Sequence, residues 1–318
     1  MHIILARPRG FCAGVNMAIE ALEQTIQTVG APVYVYHEIV HNKHVVDRFK
    51  ERGAVFVDSL AEVPAGGTVV FSAHGVPPSL REDASARDLT IVDATCPLVS
   101  KVHSEAIRFA RQGHTILLIG HEGHDEIIGT MGEAPERMVL VQSEEEAATV
   151  AVTGDVSLAF LSQTTLSVDD ANRIVARLKQ RFPAIVAPPS EDICYATQNR
   201  QEAVRRIAPE ADVALVIGSQ NSSNSMRLRE IADELGVPAY LIDSAAEIDT
   251  AWLEGKESVA LTAGASAPEE LVQDCVRFLV DRFGATVEER TVRDEAMHFQ
   301  LPATVRRMVA DARLRATA

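Results

Sequence analysis

Short, uninterrupted apolar runs recur along this 318-residue chain, and stretches with helical spacing lie between them. The runs are HIILA at 2–6, VYVY at 33–36, TVVF at 68–71, TIVD at 90–93, TILLI at 115–119, LAFL at 158–161, VALVI at 213–217, AYLI at 239–242 and SVALT at 258–262. They are continuous rather than alternating, as strands buried on both faces must be. Between them, Val15, Ala18, Ile19, Leu22 and Ile26 follow helical spacing, with Gly30 placed to close the helix. Val99, Val102, Ala106 and Ala110 repeat the pattern and end at Gly113, and residues 169–182 open on Asp169 with Ile174, Leu178 and Phe182 on one face. Strand and helix in alternation predict an α/β fold with largely parallel sheets.

The four cysteines sharpen this into a repeat. Cys12, Cys96 and Cys194 each precede a helix-like segment, in GFCAGV, ATCPLV and DICYAT. Some 28–30 residues after each comes a polar loop: HEIVHNKH with His41, GHEGHDE with His124, and GSQNSSNS with Ser222, Ser223 and Asn224. A second polar loop follows in each third: SAHG with His74, SQTTLS with Thr164, and GASAP with Ser266. Three similar α/β units would account for the pattern. In parallel sheets the loops at the strand C-terminal ends are the usual ligand side. Cys275 lies in the helical stretch LVQDCVRFLVDRF, has no counterpart in the repeat, and reads as a buried thiol.

Composition narrows the function. Net charge is −15, which disfavours a nucleic-acid or membrane-surface partner while leaving room for a small anion in a local pocket. The first apolar run ends at Arg7, too short for a secretion signal, and nothing approaches the roughly 18 apolar residues of a membrane span. A cytoplasmic protein is expected, and there structural disulfides are rare. Dispersed cysteines then read as inert thiols, a metal site or catalysis. A cysteine at a helix N-terminus feels the positive end of the helix dipole, which favours thiolate. Three such thiolates suit zinc or an iron–sulfur cluster. Spacings of 84 and 98 residues match neither a zinc ribbon nor a ferredoxin pattern.

The polar loops suggest an anion. Hydroxyls, imidazoles and backbone N–H groups at helix starts bind phosphate without lysine or arginine. Taken singly, each Ser or Asn is as well explained by helix capping; the signal is their recurrence. No phosphate-binding GxxxxGK[ST] motif, and no GxGxxG in the right setting, supports a nucleotide site. Glu126, two residues from His124, is a candidate proton donor if burial raises its pKa, with Asp125 and Glu122 as competitors. As an exposed first-turn acid it would merely favour the helix dipole. A zinc hydrolase using His and Cys, and a regulatory protein that binds a small anion without metal, remain open on these residues alone.

PRGFCAGV (8–15), VDATCPLVSKVH (92–103), GHEGHDEIIGTMG (120–132), SQTTLSVDD (162–170), DICYATQNRQEAV (192–204), GSQNSSNS (218–225) and TAGASAP (262–268) together resemble the 4-hydroxy-3-methylbut-2-enyl diphosphate reductase (LytB) family, from the N-terminus to about residue 283. The resemblance implies a pseudo-threefold trefoil of α/β units around a central four-iron, four-sulfur cluster (4Fe-4S). The units would span 14–96, 97–193, and 1–13 with 194–283, and 284–318 would form a C-terminal extension. By match within the motifs, Cys12, Cys96 and Cys194 would ligate iron and leave one iron open. His41, His74, His124, Thr164, Ser222, Ser223, Asn224 and Ser266 would bind the substrate, chiefly its diphosphate. Glu126 would deliver protons with Thr164 and Gln163. The implied reaction is reductive dehydroxylation of an allylic diphosphate to isopentenyl and dimethylallyl diphosphate, the last step of the methylerythritol phosphate route. Ferredoxin or flavodoxin would donate the electrons. Asp125 stands where the family commonly has Pro, which puts the setting of Glu126 in question.

Overall fold

The computed structural model describes residues 1–152 and 157–316, so the end of the C-terminal extension lies outside the description. Two compact units are formed: Met1–Val15 with His41–Asp47 and Tyr195–Met297, and Asn16–Val40 with Arg48–Cys194 and His298–Ala318. Among the described residues the strands are β1 (His2–Arg7), β2 (Val33–Tyr36), β3 (Ala54–Val57), β4 (Thr68–Phe71), β5 (Thr90–Asp93), β6 (Thr115–Ile119), β7 (Met138–Val141), β8 (Leu158–Ser162), β9 (Val213–Ile217), β10 (Ala239–Ile242), β11 (Ser258–Ala263) and β12 (Thr286–Thr291). The α-helices are α1 (Ala13–Val29), α2 (Lys43–Glu51), α3 (Pro78–Ala86), α4 (Pro97–Arg111), α5 (Asp125–Gly132), α6 (Glu144–Thr149), α7 (Val168–Arg181), α8 (Tyr195–Ile207), α9 (Ser223–Glu234), α10 (Glu269–Phe283) and α11 (Ala303–Ala316).

Three sheets result, in the orders β10-β9-β11-β1-β12, β3-β2-β4-β5 and β7-β6-β8. Every pairing between these strands is parallel, as the continuous apolar runs predict. Three strands lie outside those runs: β3, β7 and β12, each at a sheet edge. The sequence of β12, TVEERT, is almost wholly exposed, so no apolar run marks it, yet it pairs with all six residues of β1.

Alternate residues of each strand feed opposite cores. In the five-stranded sheet, Ile3, Leu5, Leu215 and Leu261 pack with Leu271, Val272, Cys275 and Leu279 of α10. Ile4, Ala6, Val216 and Ala260 face Val204 and Ile207 of α8 and Leu228 and Ile231 of α9. The three-stranded sheet does the same. Ile116 and Leu118 meet Val102, Ala106 and Phe109 of α4, and Leu117 and Phe160 meet Ile174 and Leu178 of α7. Each such side chain contributes about 1.5–3 kcal/mol when fully buried. Cys275 is completely buried, and that burial pushes its thiol up to about 12, so it behaves as a small apolar side chain.

Helix boundaries follow local chemistry. Gly30 and Gly113 follow α1 and α4 with positive φ, as their sequence positions suggest. The helix expected from Asp169 starts at Val168, because the Ser167 hydroxyl accepts the Asp170 N–H and caps it. Among the described residues, no helix is long and apolar enough to cross a membrane.

Candidate active site

The first unit assembles Cys12, His41, Ser222, Ser223, Asn224 and Ser266 at strand C-terminal ends and helix starts. Cys12 follows the turn at Gly10, whose φ of 65° is left-handed and whose missing Cβ would lie 3.1 Å from the Ala267 carbonyl oxygen. The N–H groups of Gly10 and Cys12 donate to the carbonyls of Ala263 and Ala265, both at 3.2 Å. The first N–H of α1, at Ala13, donates to the Tyr195 hydroxyl at 3.1 Å. Ser222 caps α9 and lies 3.4 Å from the Ser266 hydroxyl, which donates to the His41 carbonyl at 2.8 Å. Asn224 is buried, accepts the Ala265 N–H at 2.9 Å and donates to Thr197 Oγ1 at 3.4 Å. Ser223 begins α9 and is half-buried. Ser222, Ser266 and the His41 carbonyl are thus joined by hydrogen bonds beside Asn224 at the N-terminus of α9, a setting suited to an anion.

The second unit holds Cys96, Cys194, His74, His124, Glu126 and Thr164. Of the three competing acids in GHEGHDE, Glu122 is exposed, Asp125 is half-buried, and Glu126 is 2% exposed. The Glu126 carboxylate accepts the Thr164 N–H at 2.7 Å and the Thr164 hydroxyl at 2.9 Å. Burial pushes its carboxyl up to about 7 against the pull of those two bonds. His124 Nδ1 accepts the Glu126 N–H at 3.1 Å and caps α5, which leaves the neutral ring's proton on Nε2. The rings of His74 and His124 meet edge to face with centroids 5.9 Å apart, and His74 Nδ1 is 3.2 Å from Ser72 Oγ. Gln163 is also buried, and its side chain bonds the His121 N–H and the Thr165 hydroxyl.

The three cysteines share a backbone device. Each N–H donates to a carbonyl at the second polar loop of another third of the repeat: Cys12 to Ala265, Cys96 to Ala73 and Cys194 to Thr164. Ala265 and Ala73 immediately precede Ser266 and His74, so the repeat seen in the sequence recurs as a repeat of hydrogen bonds. None of the three forms a disulfide; each is half-buried and directly followed by a helix, α1, α4 or α8. Each cysteine thus stands at the positive end of a helix, a setting that favours the thiolate an iron–sulfur group requires.

Several residues in the same motifs escaped the sequence reading. His37 opens HEIVHNKH and adopts a left-handed φ of 56°. Its ring stacks on Tyr36 at 4.1 Å, and its Nδ1 is 2.7 Å from Asp125 Oδ1. The Asp125 hydrogen bond raises the His37 pKa against the opposing effect of burial. Asp125 Oδ2 also lies 4.0 Å from His74 Nδ1. Asp125 therefore turns toward the histidines and leaves Glu126 on Thr164. Lys101, on the helix after Cys96, donates to the carbonyls of Ser190 and Glu191 and to Asp192 Oδ1, pinning the segment that leads to Cys194. The Asp125 and Lys101 pairings join residues about 90 positions apart. Asp125 stands out in the sequence as a competitor of Glu126, whereas only their placement inside these motifs could have pointed to His37, Lys101 and Asp192.

Comparison with known proteins identifies the family. The family model described as LytB protein matches residues 3–280. The chain is 56% identical over 311 residues to the 4-hydroxy-3-methylbut-2-enyl diphosphate reductase of Rhodopirellula baltica, covering 98% of each chain. It is 54% identical over 306 residues to the enzyme of the same name from Ralstonia nicotianae, covering 95% of this chain and 93% of that one. Among solved structures, E-1-hydroxy-2-methyl-but-2-enyl-4-diphosphate reductase from Plasmodium falciparum superposes with a TM-score of 0.96 at 37% identity, covering 98% of this chain and 99% of the other. A second structure, (E)-4-hydroxy-3-methyl-but-2-enyl diphosphate reductase, the terminal enzyme of the non-mevalonate pathway, gives 0.64 at 32% identity, covering 88% of this chain and all of the other.

Proposed function

Because the chain belongs to the LytB protein family, we propose that it reduces (E)-4-hydroxy-3-methylbut-2-enyl diphosphate to isopentenyl and dimethylallyl diphosphate. The allylic C–O bond breaks, the oxygen leaves as water, and the carbon skeleton takes up two electrons and one proton. Cys12, Cys96 and Cys194 hold the iron–sulfur cluster in this reading. With three thiolates on a 4Fe-4S cluster, the group supplies electrons one at a time and an open, Lewis-acidic iron for the hydroxyl oxygen.

The chain's own residues do the rest. Ser222, Asn224 and Ser266, with the first N–H groups of α9, hold the diphosphate, and His41 lies in the same hydrogen-bonded group. His74 and His124 offer ring N–H groups to the substrate, and His124 does so through Nε2. Glu126 is the proton store. Its carboxyl sits near neutrality, and the Thr164 hydroxyl on Oε2 can pass a proton toward the substrate oxygen. The observation that carries the reading is the buried Glu126–Thr164 pair joined to Cys194 through the Thr164 carbonyl, which links proton supply to a proposed iron ligand. Ferredoxin or flavodoxin serves as the electron carrier.

The test is protein prepared without oxygen, assayed for iron, sulfide and turnover with a reduced carrier. About four irons and four sulfides per chain, with formation of both products, is the expected result. Zinc in place of iron would favour a hydrolase. Cys96→Ser should abolish both cluster and turnover; a full complement of iron and normal rates in that variant would falsify the ligand assignment.

A further inference from the structure

The residue the proposed reaction leaves unexplained is Arg200. It is a fully buried arginine, 0% exposed, in the middle of α8. Its guanidinium donates twice to the Gly10 carbonyl, at 2.7 and 3.1 Å, and once to the Ala196 carbonyl at 3.0 Å. One carboxylate answers its charge: Glu295, at 3.0 Å, which also accepts from the Asn199 side chain at 2.9 Å. Gly10 lies two residues before Cys12. Glu295 lies beyond residue 280, outside the span the family model covers, in the irregular segment after β12.

We infer that Glu295 is a positioning residue for Cys12, acting through Arg200. A carbonyl that takes two N–H bonds from a planar guanidinium is fixed in direction, and the Gly10 peptide sets where the chain enters Cys12. The guanidinium keeps that geometry only while its buried charge is balanced. Without Glu295 the charge stays desolvated and unpaired, and the low-cost response is for Arg200 to move toward water and release Gly10. The C-terminal segment thus takes part in building the metal site while contributing no ligand. The inference rests on the reading of Cys12 as an iron ligand, but its test does not depend on turnover.

The experiment measures alkylation of each cysteine in full-length, cluster-free protein, by iodoacetamide and mass spectrometry. Glu295→Ala should raise the Cys12 rate about fivefold or more over wild type, through local opening of its loop. Cys96, whose following helix is tied to the Ser190–Asp192 segment by Lys101 rather than to Arg200, should stay within about twofold. Glu295→Gln keeps an acceptor oxygen and nearly the same volume while removing the charge, so it should fold even if the alanine variant fails to, and give an intermediate Cys12 rate. After reconstitution, both variants should lose visible absorbance to oxygen faster than wild type. An unchanged Cys12 rate in folded variants, or an equal rise at Cys12 and Cys96, overturns the inference. If wild-type protein binds no iron, the proposed function fails, while the Cys12 rates still report whether Glu295 holds the loop.

Discussion

Glu126 shows how one buried side chain acquires a chemical task. Its carboxyl stands near 7 instead of 4.5 because burial penalises the charged form by more than two hydrogen bonds from Thr164 repay. Below about 7 the group holds a proton it can donate, so kcat should fall as pH rises through that value. Glu126→Gln should lower kcat about 100-fold, leave KM within about threefold and abolish that limb of the profile. The same shift has a stability consequence. Between pH 4.5 and about 7 the folded chain keeps a proton that the unfolded chain has released. This contribution is therefore complete below pH 4.5 and is lost as pH rises through about 7, by up to about 3 kcal/mol. Urea unfolding at pH 5 and pH 8 should show wild type losing stability relative to Glu126→Gln. Asn224 carries a different role: its amide bridges Ala265 and Thr197 beside the proposed diphosphate site. Asn224→Ala should raise KM about tenfold with kcat nearly unchanged; a fall in kcat at constant KM would contradict an anchoring role.

At the level of elements, glycines let helix α9 seat against its strands. A Cβ on Gly264 would lie 1.9 Å from Ser225 Oγ, 3.0 Å from its Cβ and 3.3 Å from its Cα, so rotating the Ser225 side chain cannot relieve the clash. Gly264→Ala should displace the start of α9, cost about 1–3 kcal/mol in urea unfolding and weaken substrate binding at the same time. Wild-type stability and KM in that variant would show that the element yields more readily than its packing implies. The central strands were readable because a parallel strand covered on both faces must be apolar at every position. Strand β12 was not, since TVEERT is exposed and pairs along one edge only. The site divides in the same way. Cysteines, Glu126 and Thr164 stand out as residue types in unusual places. Arg200 looks like any charged residue on a helix, and its partner lies 95 positions away, where no local spacing connects them.

For the whole molecule, the net charge of −15 sets a prediction for the proposed electron carrier. An acidic ferredoxin or flavodoxin is repelled at long range, and salt screens that repulsion over a Debye length of about 8–10 Å at 0.1–0.15 M. Raising ionic strength from about 50 to 300 mM should therefore increase kcat/KM for an acidic carrier several-fold. A cationic reductant such as the methyl viologen radical monocation should show the opposite trend, and identical salt dependence for both would remove electrostatics as the cause. The pairing of β1 constrains the order of folding. His2 sits opposite Ser258 on one side and Thr286 on the other. Strand β1 therefore waits, unpaired, until β11 and β12 have been made, and Cys12 waits with it. Sheets with such distant partners form late and slowly. With Cys12 as the proposed ligand, cluster insertion must follow synthesis of β11 and β12, and a ribosome stalled before Ser258 would carry a polypeptide with no framework to hold Cys12 for metal.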